Sequence, residues 1–271
     1  MTSAETVRLA REVPRATKED AFAHRAAEVK AWLELLGSLD ETEWHRPTVC
    51  TEWDVADIAG HLCGQAEDAT RLWLNPIRDA RAKRRYPDVP PLDRHMLIQA
   101  DGHRGTPPAE LIATFERLWN KANRVVRRRP ALIRNLKVPV DGLNLPAFRK
   151  LPLGLLLDVL LARDLWMHRD DVCQAIGRPF DPGPYGQDLV AQVLLDLEFG
   201  RVWTGPAVGL ELTGPAGGSW QLGEGTPVGT VRLDAVAYMR TISGRDDDPA
   251  IELLDGDPAA VKAVAAVRMP F

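Results

Sequence analysis

The stretch LGLLLDVLLARDLWMHRDDVCQAIG, residues 153–177, decides the fold of this 271-residue chain. At about 100° per residue, a helical wheel places four leucines on one face, together with Asp164, His168 and Asp171; the leucines are Leu153, Leu157, Leu160 and Leu161. Pro152 suits the first turn of a helix, where its missing N–H breaks no hydrogen bond, and Gly177 is a typical stop signal. The stretch therefore predicts a long helix whose core-facing side carries polar groups.

Asp164 and His168 are unusual because they project from a face that should be buried. A buried charged group needs a partner or a metal ion, since leaving it unpaired is costly. The four-residue spacing places both side chains on one patch of the helix surface, which is how a helix supplies two ligands to one ion. The same spacing also suits a direct pair between them, or pairing with a neighbouring helix, so both interpretations stay open on spacing alone.

The composition indicates a protein that works in water. Hydrophobic residues make up 45% of the chain, enough for a sizeable core, and the longest apolar run, residues 151–162, is too short to span a bilayer. The N-terminus lacks the apolar segment of a signal peptide, so a cytoplasmic location is expected. The net charge of −4 predicts no general attraction to nucleic acid.

The basic clusters Arg81–Arg85 and Arg124–Arg129 indicate solvated helix faces or, alternatively, a positive rim for an anionic substrate.

The three cysteines, Cys50, Cys63 and Cys173, form an odd set with no C-x-x-C spacing. This pattern argues against a disulfide framework and against the common zinc and redox motifs. His61 and Cys63 lie two apart on a predicted helix, about 200° around it, so they cannot share a metal ion there. A cysteine nucleophile stays an alternative to metal chemistry.

Four long helices separated by irregular links are predicted before residue 180, which suggests a helical bundle. Thr51 is predicted to cap the second helix and Thr106 the third. His61 lies at the edge of the apolar stripe of the second helix, a position typical of a half-exposed packing residue. The predicted helices are residues 19–39, 52–74, 106–128 and 153–177.

The link between the second and third helices, residues 75–105, is predicted as a long connection with one short helix at residues 92–99. Connections of this length often form a wall or lid of a functional site. The link carries His95 and His103, which are predicted to be surface residues. Two further weakly patterned segments are residues 1–17, a lead-in or short helix, and the irregular residues 130–152.

The pattern changes after Gly177. Proline and glycine crowd residues 179–186, which indicates a boundary between domains at residues 1–180 and 181–271. Beyond it, apolar residues alternate in short runs that predict antiparallel strands with one buried face, and Asp234 can cap a following helix. The predicted class is therefore α+β: a four-helix bundle, then a smaller α/β domain with a mostly antiparallel sheet. The runs are Val208–Leu212, Trp220–Leu222, Val231–Leu233 and Ile251–Leu254; helices are predicted at residues 187–199, 235–243 and from 258.

Two sequence motifs carry a family resemblance. The first is Arg46-Pro47-Thr48, Cys50, Trp53-Asp54-Val55, Asp57, Ile58 and His61-Leu62, and the second is Arg163-Asp164-Leu165-Trp166-Met167-His168-Arg169, Asp171 and Ala175-Ile176-Gly177-Arg178. Together they resemble the DinB-like four-helix bundle of the mycothiol-dependent maleylpyruvate isomerase family. The C-terminal part is similar to the smaller α/β domain of that family, and the resemblance runs from about Phe22 onward.

The resemblance implies a metal site formed by His61, Asp164 and His168. Two histidines and one carboxylate are a usual ligand set for catalytic Zn²⁺, with an open position for water or a substrate. The characterised isomerase type has glutamate where this chain has Asp164; aspartate is a sound ligand, but its shorter arm would shift the ion or the helix. Arg245 matches a position where the family places a functional arginine near the site. Asp171, one turn after His168, is placed to fix the tautomer of that histidine.

The implied activity is that of a divalent-metal-dependent enzyme using the thiol mycothiol as cosubstrate, with Zn²⁺ or another divalent metal as cofactor. It would be an isomerase of the maleylpyruvate type or a thiol S-transferase acting on a small electrophilic acid. A metal-dependent hydrolase and a non-catalytic metal- or thiol-binding protein are the alternatives. The expected partners are a small-molecule thiol and a small electrophile, with no nucleic acid and no membrane; no heptad pattern indicates an oligomeric state.

Overall fold

A computed structural model describes residues 7–50, 52–139 and 146–269. Within them the chain forms two compact units. The helical unit consists of residues 17–136 and 153–181, and the α/β unit of the described parts of residues 1–16, 137–152 and 182–271. The predicted domain boundaries, residues 1–180 and 181–271, stay a prediction.

Four long helices of the helical unit pack as a bundle, as predicted. In it α1 contacts α5 and α7, and α2 contacts the same two helices. Large aromatic side chains fill the interior; the ring of Trp32 lies 5.8 Å from that of Phe115, which lies 6.3 Å from that of Trp119. The helices of this unit are α1 (Lys18–Gly37), α2 (Val55–Thr70), α3 (Leu74–Arg85), α4 (Pro91–Asp101), α5 (Pro108–Arg128), α6 (Ala131–Arg134) and α7 (Leu153–Ala175).

Helix α7 confirms the long helix predicted from the opening stretch. Leu157, Leu161 and Leu165 belong to the bundle core, and the backbone oxygen of Leu165 accepts a 2.8 Å hydrogen bond from the indole N–H of the buried Trp32. Gly177 adopts a φ of 68°, and the N–H of Arg178 donates back to the oxygen of Cys173 at 2.9 Å. This is the left-handed glycine cap that ends many helices, so Gly177 acts as the predicted stop.

Helix α2 is shorter than predicted at both ends. The carboxylate of Asp54 accepts a 2.9 Å hydrogen bond from the N–H of Asp57 and caps the helix, so Glu52 lies outside it. Thr51, the predicted cap, lies outside the described residues. At the other end the helix stops at Thr70, and a separate helix, α3, begins at Leu74.

The short helix predicted at residues 92–99 is confirmed as α4, but the rest of the predicted connection over residues 75–105 is wrong, because α3 fills its first part. Helix α3 was missed because it buries Ala82 alone and therefore has no apolar stripe, while its proline falls in the first turn, where proline is tolerated. The prediction that His95 and His103 are surface residues is also wrong, since both are half-buried. Helix α5 is preceded by Pro107, not capped by Thr106.

The α/β unit contains a five-stranded sheet in the order β1-β5-β4-β6-β7. Two neighbouring pairs are antiparallel, β4–β5 and β6–β7, and two are parallel, β1–β5 and β4–β6. The sheet is thus mixed, not mostly antiparallel, because β6 pairs with β4 instead of its predecessor β5. The strands are β1 (Arg8–Leu9), β2 (Lys137–Pro139), β3 (Lys150–Pro152), β4 (Val208–Thr213), β5 (Gly218–Leu222), β6 (Gly229–Asp234) and β7 (Glu252–Gly256).

Two segments predicted to lack strands contribute to this unit. Residues 1–17 supply the edge strand β1, and residues 130–152 supply an antiparallel hairpin of β2 and β3. All three strands are too short to show an alternating pattern, so they could not be predicted from the sequence. The α+β class itself is confirmed.

Helices α8 (Gly186–Phe199), α9 (Ala235–Ile242) and α10 (Ala259–Ala266) complete the α/β unit. The carboxylate of Asp234 accepts a 2.9 Å hydrogen bond from the N–H of Ala237, which confirms its predicted role as a cap. Within residues 7–50, 52–139 and 146–269, no helix is both long and apolar enough to span a membrane.

Candidate metal centre

The structure brings together the three residues predicted to bind a metal. His61 projects from α2, and Asp164 and His168 project from α7, which packs beside it. The Nε2 atom of His61 lies 3.3 Å from one carboxylate oxygen of Asp164, and Nε2 of His168 lies 3.5 Å from the other. His61 is 1% exposed, so the expectation of a half-exposed packing residue is wrong. The cluster combines two imidazoles and one carboxylate at the centre of the bundle.

Two further side chains hold this cluster in place. Asp171, which is fully buried, has a carboxylate oxygen 3.0 Å from Nδ1 of His168, as the sequence predicted. Gln65 donates a 2.6 Å hydrogen bond from its amide to the oxygen of Asp164 that faces His61. The sequence interpretation missed Gln65, although its position four residues after His61 on the same helix was an available signal.

The charges of the cluster favour a bound cation. Burial opposes ionisation of Asp164, but the neighbouring histidines and the Gln65 amide hold its pKa below the usual range. Burial lowers the pKa of His61, which is therefore a neutral imidazole. Burial also opposes the charge on His168, yet Asp164 and Asp171 raise its pKa, so the metal-free protein keeps a proton there. A divalent ion would take the place of that proton beside the Asp164 carboxylate.

A tight turn before α2 forms one wall of the cluster. The N–H of Thr48 donates to the oxygen of Trp53 at 3.0 Å, and the N–H of Trp53 donates to the oxygen of Cys50 at 2.9 Å. The Trp53 ring lies 5.0 Å from the ring of His61, and Sγ of Cys50 lies 3.8 Å from Nδ1 of His168. Both residues belong to the motif that carries the family resemblance, but the sequence alone assigned them no role.

The donor set fits a divalent metal ion. Nitrogen and oxygen ligands of a tetrahedral zinc ion lie about 3.3 Å apart, which is close to the separations between the Asp164 oxygens and the two histidines. Within the described part of the chain, Nδ1 of His61, Oε1 of Gln65 and Nε1 of Trp53 are buried without a hydrogen-bond partner. Such unsatisfied groups are rare in a folded interior, and here they belong to the donor residue His61 and to two side chains that contact the cluster. Three protein ligands leave one coordination position open.

Arg245, the predicted catalytic residue, belongs to the α/β unit and follows α9. Gly244 before it has a φ of 78°, and the N–H of Arg245 donates to the oxygen of Arg240 at 2.8 Å. The backbone thus turns sharply at this glycine, and the Arg245 side chain is half-buried. Its catalytic role stays a prediction.

Comparison with known proteins agrees with this architecture. Two crystal structures are similar over 93% of this chain and 97% of theirs: the mycothiol-dependent maleylpyruvate isomerase, at 15% identity and a TM-score of 0.58, and a histidine-to-alanine mutant of that isomerase, at 14% and 0.59. At these identities the likeness establishes the fold. No curated protein matches the chain. The family model of the mycothiol maleylpyruvate isomerase N-terminal domain matches residues 25–173, more than half of the sequence and the part that holds the donor cluster. The chain therefore belongs to the mycothiol maleylpyruvate isomerase family.

Proposed function

We propose that this protein is a divalent-metal-dependent enzyme that uses mycothiol to isomerise a small electrophilic acid of the maleylpyruvate type. The observation that carries the proposal is the convergence of His61, Asp164 and His168 inside the bundle. The side chain of Asp164 keeps 17% of its surface exposed, so a small molecule can approach the cluster from the carboxylate side. Membership of the family supports the thiol and the class of reaction.

The protein's own side chains would hold the ion and set its geometry. His61 and His168 offer Nε2 atoms and Asp164 offers an oxygen, while Asp171 accepts the Nδ1–H of His168 and so keeps the lone pair on Nε2. A divalent ion there, with Zn²⁺ the best match to these donors, supplies the positive charge that keeps a bound thiol ionised at neutral pH. Trp53 and the buried helix faces limit the access of water.

The proposed reaction needs no net oxidant or reductant. The thiolate of mycothiol adds to the electron-poor carbon–carbon double bond, forming a carbon–sulfur bond while the π electrons move onto the conjugated carbonyl oxygen. The former double bond is then a single bond and rotates. The electrons return, the carbon–sulfur bond breaks, and the trans acid and the thiolate are released. On the family resemblance, Arg245 is proposed to bind a carboxylate of the substrate.

Incubating the purified protein with Zn²⁺, mycothiol and maleylpyruvate, and following the acid by proton NMR, tests this function. Conversion from the cis to the trans acid is expected only when both the metal and the thiol are present. A stable thioether product would assign an S-transferase instead. Turnover without thiol would favour the metal-dependent hydrolase, and absence of both metal and thiol binding would overturn the proposal.

Gln65 is expected to tune the proposed centre through its hydrogen bond to Asp164. Gln65→Met keeps the length of the side chain but removes the donor, and loss of such outer contacts typically weakens metal binding about 10-fold or more. Gln99→Met is the matched control, because Gln99 donates the same kind of 2.6 Å hydrogen bond to Asp68. Competition titrations with a chelating dye should show weaker Zn²⁺ binding for the first variant only. Equal affinities in both variants would contradict the assigned role.

A further inference from the structure

The opposite edge of the His168 ring faces a second set of donor atoms. Its Nε2 points toward Asp164, whereas its Nδ1 lies 3.0 Å from an oxygen of Asp171 and 3.8 Å from Sγ of Cys50. The Cys50 sulfur is also 3.6 Å from that Asp171 oxygen. One histidine therefore separates two groups of metal-ligating atoms, and only the second group contains sulfur.

The position of Cys50 is fixed by the turn that precedes α2. Hydrogen bonds between Thr48, Cys50 and Trp53 close this turn, and Glu52 within it has a φ of 73°. Residues other than glycine rarely adopt a positive φ, because it brings the side chain close to the backbone. Such backbone strain is maintained only where the surrounding structure requires it. The turn presents the thiol to α7 at a half-buried position, so an ion from solution can reach it.

The three atoms are spaced as ligands of one ion. In a tetrahedral zinc site with ordinary bond lengths, a sulfur lies about 3.6 Å from each nitrogen or oxygen ligand, and the latter lie about 3.3 Å apart. The Cys50 distances of 3.6 and 3.8 Å agree with this geometry, and the 3.0 Å pair needs to open slightly. A thiolate, an imidazole and a carboxylate together favour thiophilic divalent ions.

We propose that Cys50, Asp171 and Nδ1 of His168 form a second cation site for a thiophilic divalent ion, with Zn²⁺ and Cd²⁺ as the ions that fit it best. Binding releases two protons, one from the thiol and one from Nδ1, and replaces the hydrogen bond to Asp171 with bonds to the ion. The ring of His168 is thereby shared between this site and the proposed centre at Nε2. An excess of a thiophilic ion would change the partner that orients His168.

Cd²⁺ titrated into the purified full chain tests the proposal, because a cadmium–thiolate bond gives an ultraviolet charge-transfer band. The band is expected in the wild type and in His61→Ala, which disables the proposed catalytic centre but leaves the sulfur-containing set intact. It is expected to vanish in Cys50→Ser and to require at least about tenfold more Cd²⁺ in Asp171→Asn. A band in His61→Ala would support the second site even if the proposed enzymatic function failed.

Two controls accompany this titration: one tests a remaining thiol, and the other tests whether the Cys50 variants are folded. Cys63 and Cys173 are buried, and burial raises the pKa of both, so Cys63→Ala should leave the band unchanged. Circular dichroism of Cys50→Ser and Cys50→Ala should match the wild type, which excludes unfolding as the cause of a lost band. A band that persists in both folded Cys50 variants, or no band in the wild type, would overturn the proposal.

Discussion

Replacing His168 with alanine is expected to weaken Zn²⁺ binding by more than about 100-fold, because loss of an outer contact alone costs about 10- to 100-fold. His168 contributes a ligand nitrogen, and its removal also leaves the buried carboxylates of Asp164 and Asp171 without their shared partner. The measurement is the metal content per chain after dialysis, followed by competition with a chelating dye. Turnover of maleylpyruvate with mycothiol should fall in parallel if the proposed function is right.

His95→Ala is the matched control for this variant. Like His168, His95 belongs to the helical unit and is held between two carboxylates, with Nε2 2.9 Å from Asp68 and Nδ1 2.6 Å from Asp79, but it is only half-buried. Its removal should change stability but leave metal affinity unchanged. Undiminished metal binding in His168→Ala, or an equal loss in His95→Ala, would show that the donor cluster is an internal hydrogen-bonded network and not a metal site.

The site was predictable from sequence only where its residues share one helix. The spacing of Asp164 and His168 placed both on the core face of α7, since a helix fixes the positions of residues four apart. His61 lies on a different helix, and no spacing rule states which helices will face each other. Its assignment came from the family resemblance. Cys50 was missed for the same reason, because its contact with α7 depends on how the bundle packs; Gln65 could have been found once His61 was assigned, since it lies four residues further along the same helix.

The fold was predictable where burial leaves a period in the sequence. Helices α1, α5 and α7 carry an apolar side against the bundle core, and their bounds agree with the prediction to within a few residues. Helix α3 buries one alanine and gave no such pattern. The mixed sheet could not be predicted either, because the alternation of a strand shows which face is buried but not which neighbour it pairs with.

Helix α7 also buries charges that play no part in the proposed chemistry, and one of them allows a sharp test of stability. Arg169 donates from Nε and a terminal nitrogen to both oxygens of Glu28 on α1, at 2.9 and 3.1 Å, and both residues are about 95% buried, being 5% and 4% exposed. Arg169 also donates to the backbone oxygen of Asp181 at 2.8 Å and lies over the ring of Phe180. This pair joins α1 to the last turns of α7.

Glu28→Ala is expected to lower the free energy of unfolding by about 3–5 kcal/mol, because it leaves the Arg169 guanidinium buried without its counter-charge. Urea denaturation followed by circular dichroism measures the change. Glu34→Ala, on the same helix, is the control: its pair with Lys30 is 3.8 Å long and mostly exposed, and such pairs contribute about 0–1 kcal/mol. Similar losses in the two variants would contradict the assigned importance of burial.

The double variant Glu28→Met/Arg169→Met tests whether the pair itself is stabilising. Burial raises the pKa of Glu28 although Arg169 opposes that change, which indicates that desolvation outweighs the attraction between the two charges. Removing both charges should therefore recover most of the stability lost in Glu28→Ala, because the unpaired guanidinium is gone and apolar side chains fill the space. A double variant less stable than Glu28→Ala would show instead that the ion pair contributes directly to holding α7 against α1.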